Sequence, residues 1–262
     1  MKKAIIAALL FAALTLSGCG EKIIAKVGDK PITQSELNSM KAELKNIFKD
    51  KKDAELDALA LQNLEAQKAV ELKAQRDGIK VNDDEVNSMY EQLKGKVSKE
   101  QIKDIILSNK LFIKYTSGIK VTPDEVKQYY LQNKNKFAYV NVYGIVTNTK
   151  DNAEKVYSDL KSGTDFSAEY SKYAVNVHDV NGYIGQYPEG TDIDGFKVKS
   201  DTISQPVKTG QSYEVFKTGD LLVKSFDDVK DAIEQVVLSN KKTSYYNSLV
   251  QKWIKEEGVK VE

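Results

Sequence analysis

The tetrapeptide Gly-Ile-Lys-Val occurs twice, forty residues apart, and each copy runs into a helix start. Gly78-Ile79-Lys80-Val81 leads into Asn82-Asp83-Asp84-Glu85-Val86. Gly118-Ile119-Lys120-Val121 leads into Thr122-Pro123-Asp124-Glu125-Val126. Glycine just past a helix end takes the left-handed backbone that closes the last turn. Asn or Thr followed by acidic residues, with Pro123 in the first turn, opens the next helix. The chain around these points is thereby limited to helix, short extended connector, helix. Two copies are too few for a solenoid, so they read as one reused helix-turn-helix connection. A third, inexact copy, Gly258-Val259-Lys260-Val261, has Val in place of Ile and echoes the first half of the pattern alone.

The elements on either side follow from periodicity. Ile23 to Val27 alternates as a strand, Gly28-Asp29 turns it, and Pro31-Ile32 is a short return. Thr33-Gln34-Ser35-Glu36 is a capping box, and residues 34–49 keep a helical period through Leu37, Met40, Leu44 and Ile47. After a Lys- and Asp-rich link, Lys49 to Asp53, a second helix carries Leu56, Leu59, Leu64, Val70 and Leu72 and ends near Gly78. From Phe137 the pattern changes. Phe137 to Thr147 is a Tyr- and Val-rich strand, Asp151 to Leu160 an amphipathic helix closed by Gly163, and Phe166 to Tyr173 a short helix. Gly182, Gly185, Pro188, Gly190 and Gly195 punctuate a stretch that reads as loop. Ser204 to Thr218 reads as strands around Thr209-Gly210-Gln211. Ser225 caps a long helix to about Glu257, with Val229, Ile233, Val236, Tyr246, Leu249 and Trp253 on one face. The order implies an α+β chain with a small α+β domain near 135–220. A last helix of that length is expected to pack on the N-terminal helices.

Composition narrows the chemistry. A chain of 262 residues suits one large or two modest domains. The 39 Lys+Arg against 38 Asp+Glu leave no basic excess, which argues against nucleic acid as a partner. Arg76 is the single arginine, so bidentate clamping of phosphate or carboxylate is nearly unavailable. There is one cysteine, Cys19, and one histidine, His178. Disulfides within the chain, zinc-finger ligand sets, Cys-His catalysis and any mechanism using two histidines are excluded. No metal and no cofactor is expected.

The single cysteine has a place of its own. Met1-Lys2-Lys3 is a short positive start, and Ala4 to Leu16 is apolar except Thr15, too short for a mature membrane span. With Ser17-Gly18 this fits a secretory signal peptide over residues 1–18. Leu16-Ser17-Gly18-Cys19 resembles a bacterial lipobox, in which the cysteine is acylated and becomes the first mature residue. The alternative is an ordinary signal peptide with a chance cysteine. Several acyl chains would hold the protein stably, where one chain is marginal. Loss of Lys2 and Lys3 takes the formal charge from +1 to −1. The expected product is a soluble body on the outer face of a cell membrane, and its lysine bias suits a Gram-positive source.

The motifs resemble those of the extracytoplasmic PrsA/SurA-type foldases. Val27 to Leu37 is similar to the opening of that family. Val121 to Phe137 resembles the helix leading into its parvulin domain. Gly163-Thr164-Asp165-Phe166 with Tyr173 resembles a parvulin segment, and Ile203-Ser204-Gln205-Pro206-Val207-Lys208-Thr209 resembles the parvulin "I-S-x-P-V-x-T". The resemblance implies a SurA-N-like helical chaperone lobe, built from N-terminal helices (19–134) and the returning C-terminal helix (223–262). A parvulin-like α+β domain (135–222) is inserted between them. It also implies a peptidyl-prolyl isomerase site with two histidines, a nearby Cys or Asp and an apolar proline pocket. Here Gly144 stands at the first histidine, Glu214 at the second and Asn176 at the Cys or Asp position. Phe196 matches the pocket phenylalanine and Asp192 the pocket methionine, and the chain is shorter than the family between Phe196 and Ile203. His178 matches neither histidine and reads as an exposed loop residue. Phe196, Tyr213 and Ile145 are the candidate peptide contacts, although Phe196 and Tyr213 read more readily as core than as a working pocket.

Three functions fit these residues. The first is a non-catalytic, membrane-anchored chaperone, an apolar cradle for unfolded or newly secreted polypeptides with tyrosines on its surface. The second is a prolyl isomerase with a non-standard site, and the third a structural surface lipoprotein. The long helix would serve a homodimer as readily as internal packing.

Overall fold

A computed structural model describes residues 21–94, 97–175 and 180–262, with the side chain of Val180 also outside the description. Cys19, Asn176 and His178 therefore lie outside the described residues. The chain divides into two compact units. One holds the residues up to Lys120 together with Leu238–Glu262, and the other Val121–Val237.

The first unit is helical around a small sheet. Strands β1 (Ile23–Val27) and β2 (Lys30–Thr33) form the hairpin read from the sequence, followed by helices α1 (Gln34–Ile47), α2 (Asp53–Arg76), α3 (Asp83–Gln92) and α4 (Lys99–Thr116). The hairpin turns on Gly28, whose φ is +58°. A Cβ there would come within 3.1 Å of the Leu72 side chain, so both backbone and space call for glycine. The capping box at Thr33 is formed as read. The Thr33 N–H donates to Glu36 Oε2 at 2.6 Å, and the Glu36 N–H donates to Thr33 Oγ1 at 3.2 Å. Asn82 with Glu85, Ser98 with Gln101 and Thr122 with Glu125 repeat the device.

Glu36 also reaches into the core. Its Oε1 accepts from Lys68 Nζ at 2.7 Å, and both side chains are buried. The surrounding core gathers Val27, Ile32, Met40, Leu56, Leu64 and Leu111 with Tyr246, Val250, Trp253 and Ile254 of the last helix. The long C-terminal helix thus returns to the N-terminal helices. Its Trp253 ring stands edge-on to Tyr115 and Tyr246, at 5.3 and 5.8 Å.

The second unit opens with α5 (Pro123–Gln132) and then builds one antiparallel sheet. Its strands are β3 (Ala138–Thr147), β4 (Tyr183–Tyr187), β7 (Val207–Thr209) and β8 (Ser212–Val223), in the order β4-β3-β8-β7. Helices α6 (Lys150–Lys161) and α7 (Phe166–Tyr173) lie on one face, where Ile145 and Val215 pack with Ala153, Val156 and Leu160. On the other face Val140, Val142 and Phe216 pack with Phe196 and Val198. Phe196 comes from a small hairpin, β5 (Asp192–Ile193) and β6 (Phe196–Lys197). The stretch read as loop therefore contains three short strands.

Helix α8 (Phe226–Glu257) contributes Val229 and Ile233 to this unit, beside Val126, before its later turns join the first. Val236, read onto the buried face, is exposed. It falls where the helix passes from one core to the next. The third tetrapeptide copy becomes strand β9 (Val259–Val261), paired antiparallel with β1. Among the described residues no helix is long and apolar enough to cross a membrane.

Candidate functional site

Side chains alternate across a strand, so the two central strands sort the candidates by parity. On β3, Val140 and Val142 face the Phe196 side, and Gly144 continues that row. On β8, Phe216 faces the same side, and Glu214 continues its row. The register pairs Gly144 with Phe216 and Val146 with Glu214, so Glu214 sits diagonally beside Gly144. A Cβ built on Gly144 would collide with Glu214 Oε1 and come within 2.7 Å of Ile184 Cδ1. The carboxyl of Glu214 thus occupies the space a side chain at 144 would need. The two positions that resemble the family's histidines hold one carboxyl and a bare backbone, in contact.

That carboxyl is half-buried and makes no hydrogen bond to any described residue. Burial disfavours its ionised form, and the Asp194 carboxylate adds like-charge repulsion. Together they push it up to about 7 from the usual carboxylate range. Asp194 is held by local turn chemistry. Asp194 and Gly195 have φ of +51° and +93°, the two-residue turn that Asp-Gly favours between paired strands. The Gly195 N–H donates to Asp192 Oδ1 at 2.9 Å and fixes the turn.

The remaining candidates divide between the two faces. Phe196 lies on the Glu214 side but is buried, stacked on Phe216 at 5.1 Å with 9° between rings. Ile145 is fully buried on the opposite side, and Tyr213 packs there against the same helices. Phe196 is therefore grouped with Gly144 and Glu214, and Ile145 and Tyr213 are not. Asp192 is exposed at the hairpin entrance. Asp194, which sequence reasoning passed over, carried a readable signal in the Asp-Gly pair between apolar Ile193 and Phe196. Ile184 was hidden within the glycine-punctuated stretch. Its neighbour Gly182 has φ +70°, and a Cβ there would be 2.6 Å from the Gly144 carbonyl oxygen. Glycine at 182 lets this segment close onto β3.

Chemically, the site offers one carboxyl whose ionised form is disfavoured by burial, apolar walls, and at Gly144 a buried backbone with no side chain. It contains no imidazole among the described residues. No group of three His, Cys, Asp or Glu side chains among them is placed to hold a metal ion.

Comparison with known proteins agrees with both units. A model of the SurA-like N-terminal domain matches residues 3–115, and a model of the PPIC-type PPIase domain matches residues 121–231. The foldase protein PrsA of Caldanaerobacter subterraneus subsp. tengcongensis is 30% identical, over 95% of this chain and 94% of that protein. The foldase protein PrsA of Clostridium acetobutylicum is 26% identical, over 98% and 96%. Among solved structures, PrsA from Bacillus subtilis is 25% identical over 91% of this chain and 92% of that one, with a TM-score of 0.30. On its two domain matches and its full-length similarity to these relatives, the chain belongs to the PrsA foldase family.

Proposed function

We propose that this foldase is an extracytoplasmic, lipid-anchored chaperone whose parvulin-type domain holds client polypeptides without the family's two-histidine isomerisation chemistry. The observation that carries this reading is the Glu214 carboxyl seated over Gly144. Rotation about a prolyl bond faces a barrier of about 20 kcal/mol, and a catalyst must stabilise the twisted amide. Glycine offers no side-chain donor, and Glu214 fills the space where one would stand. Cys19, at the end of the lipobox-like segment, is the proposed anchor, with residues 1–18 removed and Cys19 acylated at the outer face of the membrane. Unfolded or newly secreted polypeptides are the proposed clients.

Two measurements test this. Residues 20–262 are expected to suppress aggregation of a chemically unfolded client at near-stoichiometric ratio, yet give no isomerisation of a proline tetrapeptide above the uncatalysed rate. Catalytic turnover that falls on Glu214→Ala would refute the non-catalytic part. In the full chain, Cys19→Ala is expected to release the protein from the membrane fraction. Unchanged partitioning would refute the anchor.

A further inference from the structure

The far end of β8 is an open sheet edge. As far as Gly219 the strand is covered on the side away from β3. β7 pairs with residues 212–214, and the Ser204, Thr218 and Asp201 N–H groups donate to the Phe216, Thr202 and Gly219 carbonyls. Beyond that point β8 pairs with β3 alone among the described residues. Leu221 lies opposite Val140, Leu222 opposite Tyr139 and Val223 opposite Ala138. The Lys224 N–H donates to the Phe137 carbonyl, so 224 and, by alternation, 222 turn their backbone toward β3. Leu221 and Val223 therefore turn theirs outward. The side chains of Leu221, Leu222 and Val223 are 46%, 41% and 48% exposed. Outward N–H and C=O groups flanked by apolar side chains are a template for a further strand.

We propose that this edge pairs with the same edge of a second copy, joining two second units into one antiparallel sheet through Asp220–Lys224. The charges at its ends select that occupant. The segment reads Asp220-Leu221-Leu222-Val223-Lys224 and is exposed throughout. Lys224 lies over the ring of Tyr139, the cross-strand partner of Leu222. Laid antiparallel on itself about a two-fold axis at Leu222, the segment sets 221 opposite 223 of the second copy and 220 opposite 224. The outward groups of Leu221 and Val223 then close four hydrogen bonds. The two Leu222 side chains meet on the axis in the closer, non-hydrogen-bonded pairing. Asp220 meets Lys224 at both ends, and opposite charges across a strand pair are favourable. A parallel in-register alignment would set Asp220 against Asp220 and Lys224 against Lys224. A strand of unrelated sequence would find the same backbone groups but leave both charges unmatched. One short strand pair lies below the ~1,000 Å² at which stable interfaces begin, so association is expected at roughly 10–100 µM. Neither the membrane anchor nor client holding is needed for this pairing.

Sedimentation equilibrium of residues 20–262 is expected to show a reversible monomer–dimer equilibrium in that range. Val223→Pro removes an outward N–H and leaves the β3 ladder intact, as proline does on an edge strand. It is expected to keep the far-UV circular dichroism and to weaken association by roughly tenfold or more. Asp220→Lys and Lys224→Asp are each expected to weaken self-association several-fold, because each sets like charges opposite one another. An equimolar mixture of the two is expected to associate as well as the unaltered protein, since each copy then supplies the charge the other needs. Residues 20–262 contain no cysteine, so Leu222→Cys introduces a single thiol. Across the axis its Cα atoms lie about 4.5 Å apart, within disulfide reach. Mild oxidation is expected to link the dimer there, and adding Val223→Pro to prevent the link. A chain monomeric up to roughly 1 mM, a dimer indifferent to Val223→Pro, or a mixture no better than either charge variant alone would each overturn the proposal. A monomeric chain in which Val223→Pro weakens client binding would assign the edge to client strands and overturn it as well.

Discussion

Adding one methyl group at Gly144 tests whether the two replaced positions form a single physical unit. The backbone there lies outside the left-handed region, so alanine meets no conformational penalty. What it meets is side chains. Its Cβ would collide with Glu214 Oε1, lie 3.2 Å from Glu214 Cδ and lie 2.7 Å from Ile184 Cδ1. These are ends of flexible chains, so the neighbours move aside. Overpacking of this kind costs about 1–3 kcal/mol, and the lower part of that range applies because the carboxyl can swing toward water. The loss of unfolded-chain entropy on Gly→Ala works the other way by about 0.4–1 kcal/mol. That term is common to both backgrounds of a double-mutant cycle and cancels. In Glu214→Ala the first collision disappears and the Ile184 contact remains. Gly144→Ala is therefore expected to cost about 1 kcal/mol more with Glu214 present than with Ala at 214. Urea unfolding of the four variants, followed by far-UV circular dichroism, measures the difference. Additivity within about 0.3 kcal/mol would show that Glu214 does not fill the hollow, and the argument from displaced histidines would fail.

Three further changes probe other charges in the fold. Glu214→Gln is expected to raise stability in mild base. The folded state holds this proton more tightly than the unfolded chain, so ionisation costs stability progressively as pH rises from about 4.5 to 7. At about 1.36 kcal/mol per pH unit the full effect is about 3 kcal/mol, reduced to about 1–2 by solvent around the half-exposed group. Equal gains at acid and at alkaline pH would contradict it. Lys68→Met is expected to cost about 3–5 kcal/mol in the same urea assay, because Glu36 keeps its buried charge without Lys68 Nζ, and a loss below about 1 kcal/mol would contradict that. Burial opposes ionisation of Asp77, but donors from Lys73, Lys114 and Tyr115 outweigh it and hold the carboxyl well below the usual range. Its contribution is present above the unfolded-chain value and lost as pH falls through the folded one. Asp77→Asn is therefore expected to be about 1–2 kcal/mol less stable near neutrality, with the gap closing in acid. A gap that widens in acid would reverse the assignment.

How much was legible depends on whether a local or a distant group decides each feature. Helix starts were legible because their hydrogen bonds close within four residues, as between Thr33 and Glu36. The third tetrapeptide copy was not, because its fate as β9 is set by β1, some 230 residues earlier in the chain, pairing Val27 with Val259. The glycine-punctuated stretch concealed β4 because Gly185 interrupts alternation and the strand gains its regularity from β3. Val236 was misplaced because one helix serves two cores, and a single apolar face cannot be extended across the change. At the site, motif alignment found Gly144 and Glu214, while parity alone could have set Ile145 and Tyr213 aside. Each is the sequence neighbour of a site position on a strand, and neighbours point to opposite faces.

The single histidine of the sequence acquires a physical meaning at this pair. Two unrelated residues at these positions would leave two separate spaces, and each could be filled without regard to the other. Here Glu214 lies in the space of residue 144, so each residue depends on the other. A glutamate at 214 takes its present rotamer because 144 has no side chain, and glycine at 144 leaves no cavity because Glu214 covers it. An imidazole at 144 extends well beyond a Cβ that already collides with the carboxyl. It would therefore have to expel Glu214 before it could approach a client. A histidine at 144 alone is therefore expected to add strain, and placing two imidazoles here would require both positions to change together.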